Sequence, residues 1–433
     1  MYSLIAEDTA WGSYLMAFFA LLAYLFFVFI RPQEFFQPVF GLPLVKISLI
    51  FAALAMIAQK DRRFDAPQNI FLLLFMPVIL ISGALNGWVM GGVNSVIAFI
   101  TSIYLPFLVI QNTINTVKKQ QIVMLCLIFF VLVMIHNGMD QKASETGVGW
   151  SGAMLSQKTR ITYLGIFNDP NDLGMLIVMV VPFVFYFLAR VSWLLKPLFL
   201  ACAAMLFNGI YLTNSRGALL GSMSLLVLWF YLKYGIKKSL LVGCLALPVA
   251  AILMGQFRTI DAEEASAEGR LDAWYEGFQM LRHHPLFGVG MGQFTDHHHL
   301  TSHNSFVLVF SELGLIGYFL WIGFLTACGF MLLMLWKTDF KLNLFNKNNI
   351  QESQIASTLM YSMLGYFATS FFLSRAYTPL LYIFCAMIVS TYYRANSGLI
   401  PQVLCRYKYF SSYIWAISLS SIILIYLVVR FFS

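Results

Sequence analysis

From Ser13 to Ile30 the chain runs through eighteen residues, SYLMAFFALLAYLFFVFI, without one charge. Runs of this kind recur to the end of the sequence, and they constrain the fold more than any other feature. The hydrocarbon core of a bilayer takes about 20 apolar residues of helix. Backbone crossing that core has to satisfy its own polar groups, so only helices and closed barrels can span it. A barrel is written in alternating segments of about 10 residues, and these runs do not alternate. They predict thirteen spans, at roughly 13–30, 42–58, 69–85, 93–112, 121–138, 171–189, 197–213, 217–232, 239–255, 304–335, 354–373, 376–393 and 411–430. The expected fold is an all-α polytopic membrane protein of about 12–14 transmembrane helices, a single transmembrane domain over residues 1–433. Only 11% of the residues are charged, against about a quarter in soluble domains. The first run has no basic segment before it and no small-residue cleavage site, so it reads as a span and not as a cleaved leader.

Orientation follows from the basic residues of the short loops. With the N-terminus in the cytoplasm, one face collects sixteen of them: Lys60, Arg62, Arg63, Lys118, Lys119, Arg190, Lys196, Lys233, Lys237, Lys238, Lys337, Lys341, Lys347, Arg394, Arg406 and Lys408. The short loops of the other face hold Arg31, Arg216 and Arg375. The net charge of +8 therefore reads as topology, and no nucleic-acid partner is expected. The cytoplasmic loops are too short for a nucleotide-binding domain, and no G-x-x-x-x-G-K-[ST] motif occurs. Six scattered cysteines without a CxxC pair suggest buried apolar side chains, not a disulfide framework or a zinc site.

The two longest polar segments, 139–170 and 256–303, fall on the outer face. The first carries Arg160 and then GIFNDPND, in which Pro170 is placed to start a helix. In the second, EGRLDAWYEGFQMLRHHP predicts a short amphipathic helix. Its apolar face is Leu271, Trp274, Phe278 and Leu281, and Pro285 ends it. Such a helix can lie in the headgroup plane, with Trp274 and Tyr275 at the interface. The stretch HHPLFGVGMGQFTDHHHLTSHN, residues 283–304, holds six of the seven histidines. His297, His298 and His299 read as a solvated loop, since no nearby cysteine or patterned carboxylate completes a metal set. His303 stands directly before a span, where a rigid helix end can position it for general-base work. Outward-facing arginines run against the usual charge bias. Snorkelling accounts for one at a span end, whereas several on one face suit a polyanion, because guanidinium binds phosphate through paired hydrogen bonds.

Three blocks occur in order: SRG at 215–217, GRLDAWYEGFQMLRHHPLFGVGMGQF at 269–294 and HNSFVLVFSELGLIG at 303–317. With GIFNDPND at 165–172, the stretch 160–320 resembles the O-antigen ligase and polymerase superfamily of bacterial membrane glycosyltransferases. The resemblance implies a GT-C-like fold with a large periplasmic loop at 256–303, in the bacterial inner membrane. It implies a metal-independent glycosyltransferase without a cofactor, working at the periplasmic face. The donor would be an undecaprenyl diphosphate-linked glycan and the acceptor a hydroxyl of lipid A–core or a similar molecule. Carried over by motif, Arg216 and Arg270 hold the diphosphate and His303 acts as base or orients the acceptor. Arg160 and Arg282 are weaker candidates for phosphate or glycan contact, followed by Arg375 and Arg31. The histidine run and a thirteenth span depart from the family pattern.

Two other readings remain. A polymerase would extend a lipid-linked repeat unit in place of capping an acceptor, and the block spacing favours the ligase. A transporter without chemistry would concentrate polar groups at mid-membrane. Here Lys46 is the clearest intramembrane charge, no paired broken spans repeat in two halves, and the polar residues gather outside.

Overall fold

The computed structural model describes residues 2–245, 267–341, 347–395 and 410–432. Among the described residues nine helices are long and apolar enough to cross a membrane, and each falls on a predicted span. The other four spans fare differently. Residues 42–58 form the helix Leu44–Ile57, 14 residues long, about 21 Å at the helical rise and short of a core of about 30 Å. Residues 354–373 and 376–393 lie in the helices Lys347–Ser370 and Pro379–Ala395. The span at 239–255 begins helically at 236–245, and its remainder lies outside the described residues, as do 256–266, Arg406 and Lys408.

The chain divides into two compact units. The first comprises Met1–Arg62, Val109–Ile260 and Phe345–Thr369; the second comprises Arg63–Leu108, Asp261–Leu344 and Ser370–Ser433. In the first, the helix Pro170–Leu188 is the core. It is apolar on every side and buried on nearly every side, as a helix without a polar face has to be. Asp169 caps it by accepting from Asn171 N at 2.7 Å, and Pro170 occupies its first turn. Gly174 admits its neighbour Arg216–Tyr234 closely: a Cβ there would stand 2.7 Å from that of Ala218. Small residues at such crossings are how membrane helices gain contact without a hydrophobic drive between them. The gap at 213–217 is a tight turn. Asn214 ends the helix Lys196–Thr213 in the left-handed region at φ 52, and Ser215 starts the next by accepting from Ala218 N at 3.2 Å.

The second unit encloses Pro379–Ala395, every residue of which from Leu380 to Tyr393 is buried. Beside it runs Ser305–Lys341, 37 residues interrupted at Gly314 (φ 65, ψ −168). The interruption opens the helical ladder, and the loop before the helix closes it. Val289 N donates to Ser311 O at 3.0 Å and Gly290 N to Glu312 O at 2.9 Å. In return Leu315 N donates to Pro285 O at 2.8 Å and Ile316 N to Leu286 O at 3.2 Å. Ser82 and Asn86, at the end of the helix Pro67–Leu85, add hydroxyl and amide donors to Phe287 O and Gly288 O. Glu312 is buried there, and its Oε1 accepts from Phe294 N at 3.2 Å.

The loop helix Ala267–His283 packs against the helix Ser305–Lys341. Its buried positions are Ala273, Trp274, Gly277 and Met280; of the predicted face Leu271, Trp274, Phe278 and Leu281, Trp274 is buried and Phe278 packs on Phe310 with centroids 5.0 Å apart, while Leu271 and Leu281 are half-buried. Gly277 extends this contact: a Cβ there would stand 2.5 Å from Val307 Cγ1 and 2.9 Å from Ser311 Oγ. The helix presses its narrowest side onto Ser305–Lys341, and Tyr275 alone of the predicted aromatic pair stays exposed.

A side chain at Gly314 meets both strain and a clash, since a Cβ would stand 2.4 Å from Leu286 C. Gly314→Ala is expected to cost about 2 kcal/mol or more, read as a lower unfolding temperature in detergent. Gly329→Ala, with nothing within 4 Å of the added carbon, is expected to be neutral or to stabilise by about 0.5 kcal/mol.

Candidate functional site

His303, Arg270 and Arg375 are drawn together at one corner of the second unit. Asn304 caps Ser305–Lys341, its Oδ1 accepting from Phe306 N at 2.9 Å and Val307 N at 3.2 Å. The cap forces the chain to enter from outside the helical region, and His303 directly before it takes a left-handed backbone, φ 46, with its ring half-buried. Hydroxyls then fasten the 371–378 loop to this entry. Ser302 Oγ and Ser374 Oγ are 2.9 Å apart, and Thr301 Oγ1 donates to Ser374 Oγ at 2.9 Å. Ser305 Oγ donates to Leu373 O at 2.6 Å and accepts from Arg375 N at 2.9 Å. The Arg375 backbone is thereby fastened to Ser305, two positions after His303 in the chain.

The loop helix joins the same corner. Trp274 Nε1 donates to Ser302 O at 2.8 Å, and the indole packs edge-on against Phe371 with centroids 5.4 Å apart. One turn earlier the guanidinium of Arg270 lies 5.8 Å from the centre of the Phe372 ring, a cation–π contact. Arg282 is exposed in the last turn of the same helix, about 18 Å further along its axis. The structure does not bring it to Arg270.

His298 departs from the expectation of a solvated run. It is buried, and its Nε2 lies 3.2 Å from Asp272 Oδ2, so it clasps the loop to the helix that carries Arg270. His297 and His299 are exposed. Three neighbouring histidines cannot share one direction, and the middle one turned inward. Among the described residues no group of three His, Cys, Asp or Glu side chains is placed to hold a metal ion.

The arginines of the first unit have separate fates. Arg160 is buried. Its Nε donates to Thr213 O at 3.1 Å and its Nη2 to Asn171 Oδ1 at 2.8 Å, the same oxygen that accepts from Ser215 Oγ at 2.8 Å. It ties the NDPND turn to the SRG turn and satisfies an open carbonyl at a helix end. Arg31, left-handed at φ 57, pairs with Glu34 through both Nε and Nη2. It also lies over Gly165, where a Cβ would stand 2.3 Å from Arg31 Nε. Tyr163 OH donates to Ile30 O at 2.8 Å, and burial, with Glu34 nearby, pushes that phenol up. Arg216 differs from both. It is half-buried on the first turn of the 19-residue helix Arg216–Tyr234 and makes no hydrogen bond or ion pair with any described residue. A cation at that end opposes the helix dipole, and an anion placed there would meet both the guanidinium and the open N–H groups.

Sequence reasoning named the arginines and His303 as candidates but not the hydroxyl network of Ser302, Ser305 and Ser374, nor the Glu34 and Asp272 partners. The serines stand seventy residues apart in the chain, and no local pattern signals them.

Among the described residues, nine apolar helices long enough to cross a membrane, with polar loops at their ends, define a multi-pass, all-α membrane protein. Residues 200–322 match the family model described as O-antigen ligase, which supports the resemblance to the O-antigen ligase and polymerase superfamily. The matched stretch contains Arg216, Arg270, Arg282 and His303; Arg31, Arg160 and Arg375 stand outside it. No curated protein matches the chain.

The geometry separates fastening arginines from the rest. Arg160→Ala leaves Thr213 O and Asn171 short of a charged donor and is expected to cost about 2–3 kcal/mol of stability. Arg216→Ala is expected to stay within about 0.5 kcal/mol. Thermal unfolding of the two variants in the same detergent checks both.

Proposed function

We propose that this protein is a glycosyltransferase that moves an undecaprenyl diphosphate-linked glycan onto an acceptor hydroxyl at the periplasmic face of the bacterial inner membrane. The acceptor is lipid A–core or a similar molecule, and the enzyme is a ligase. The observation that carries the reading is Arg216, a cation whose side chain has no hydrogen bond or ion pair among the described residues, on the first turn of a helix and inside the segment that matches the family. There it neutralises the donor diphosphate, and Arg270 keeps the role its motif implies. The acceptor oxygen attacks the anomeric carbon, the bond from that carbon to the diphosphate breaks, and the hydroxyl proton passes to His303. The leaving diphosphate carries off the negative charge that the guanidinium groups stabilise. Arg375, held beside His303 by Ser305, adds positive charge at the acceptor. Arginine does the work of a metal here, so no metal is required.

The proposed sidedness has support within each unit. In the first, Lys119 approaches Tyr14, which also binds Asp61, while Arg31, Gly165 and Ser215 belong to the opposite helix ends. In the second, Arg63 stacks on Tyr393 at one end, with Ser82, Glu312 and His303 at the other. Both sortings agree with the distribution of basic loops.

The test uses purified protein in nanodiscs with an undecaprenyl diphosphate-linked oligosaccharide, products being resolved by mass spectrometry. Transfer is expected only once lipid A–core is added, and a chelator is expected to leave its rate unchanged. A ladder of repeat multiples from donor alone would mean a polymerase. No transfer to either acceptor would overturn the reading. His303→Ala and Arg216→Lys are expected to lower transfer by about 100-fold or more without loss of membrane insertion, checked by the same assay and by membrane fractionation.

A further inference from the structure

The loop at 144–160 in the first unit presents one tryptophan with unusual firmness. Gly149 N donates to Ala153 O and Leu155 N to Gly147 O, both at 2.9 Å, making a narrow hairpin-like loop. Gly149, Trp150, Ser151 and Gly152 form its tip, closed by Gly152 N donating to Gly149 O at 2.9 Å. The tip is pinned to the helix Val117–Ala143 by Ser151 N donating to Asn137 Oδ1 at 3.0 Å. The indole is fixed as well. Its Nε1 donates to His136 Nδ1 at 3.3 Å. Phe35 meets it edge-on at 5.3 Å and Tyr163 at 6.4 Å between centroids. Even so, 43% of Trp150 remains exposed.

Two observations bear on what covers it. The helix Val117–Ala143 has 27 residues, about 40 Å, which exceeds a hydrocarbon core of about 30 Å. The excess is the length of about seven residues, and the polar residues Asp140, Gln141 and Lys142 close the C-terminal end one turn beyond His136 and Asn137. The neighbours are also polar and oriented. His136, accepting at Nδ1, has Nε2 left as its donor. The Arg31–Glu34 pair sits next to Phe35, and Asp140 and Lys142 are exposed on the adjoining turn. A rigid, half-open aromatic face ringed by planar donors and acceptors suits a ligand with an apolar C–H face and a rim of hydroxyls.

We infer that Trp150 is a carbohydrate-stacking subsite that holds a pyranose ring of the transferred glycan, with His136 and the Arg31–Glu34 pair hydrogen-bonding its hydroxyls. The inference rests on the glycan-transfer reading above. It assigns Arg31 to sugar, not to diphosphate.

The experiment compares parent, Trp150→Ala and Trp150→Phe in nanodiscs. Its probe is the oligosaccharide released by mild acid from the lipid-linked glycan pool of the source cells. Calorimetry reads binding of this lipid-free probe, and the transfer assay reads KM and kcat for the intact donor. Trp150→Ala is expected to weaken probe binding about tenfold and to raise KM by a similar factor, with a smaller change in kcat. Trp150→Phe, which keeps the stacking face, is expected to recover most of both. Unchanged probe affinity and KM in Trp150→Ala would overturn the subsite. So would a change confined to reconstitution into the bilayer, which would make Trp150 an interfacial anchor. Trp150-dependent probe binding in a parent that transfers nothing would leave the subsite standing and overturn the transfer reading.

Discussion

Backbone polar groups at the edge of a bilayer have to find partners inside the protein, and much of this structure is the working out of that demand. The break at Gly314 frees carbonyls at Ser311 and Glu312 and N–H groups at Leu315 and Ile316, and the loop 285–290 takes up all four. Unmet, each such group would cost several kcal/mol in lipid. The glycine-rich turn is thus the complement of a broken helix before it is anything else. Arg160 answers the same demand at Thr213, and Asn304 answers it at the start of Ser305–Lys341.

This division sorts the arginines. Those bonded to protein oxygens, Arg160 and Arg31, hold turns in place, whereas Arg216 occupies a helix start that disfavours a cation. The cation at that end goes unrewarded among the described residues. Around His303 the fastening is done by neutral hydroxyls, so charge in that corner comes from Arg270 and Arg375.

Much of the fold was legible in the sequence, because a run of apolar residues has one meaning in a membrane. Among the described residues nine helices fell where hydropathy put spans, and the turn signal at Pro170 marked a helix start. What escaped was set by contacts distant in the chain. The loop helix packs through Gly277 as well as Trp274 and Phe278, because a glycine fits against Val307, which hydropathy does not weigh. The kink at Gly314 hides in an unbroken apolar run, since its partners lie some thirty residues earlier. The 42–58 run is apolar enough to span, yet Pro43 and the turn at Ala58 leave it 14 helical residues. His298 reads like its neighbours and differs only through Asp272.

The exchange between the 285–290 loop and the kinked helix also bears on how the chain is built. The loop is synthesised first, and the helix cannot be complete without it. Until the four bonds close, insertion leaves a notch of open peptide groups within the helix. Entry of Ser305–Lys341 into the membrane and docking of the preceding loop are therefore one cooperative event, and the corner that holds His303 exists only when it has finished.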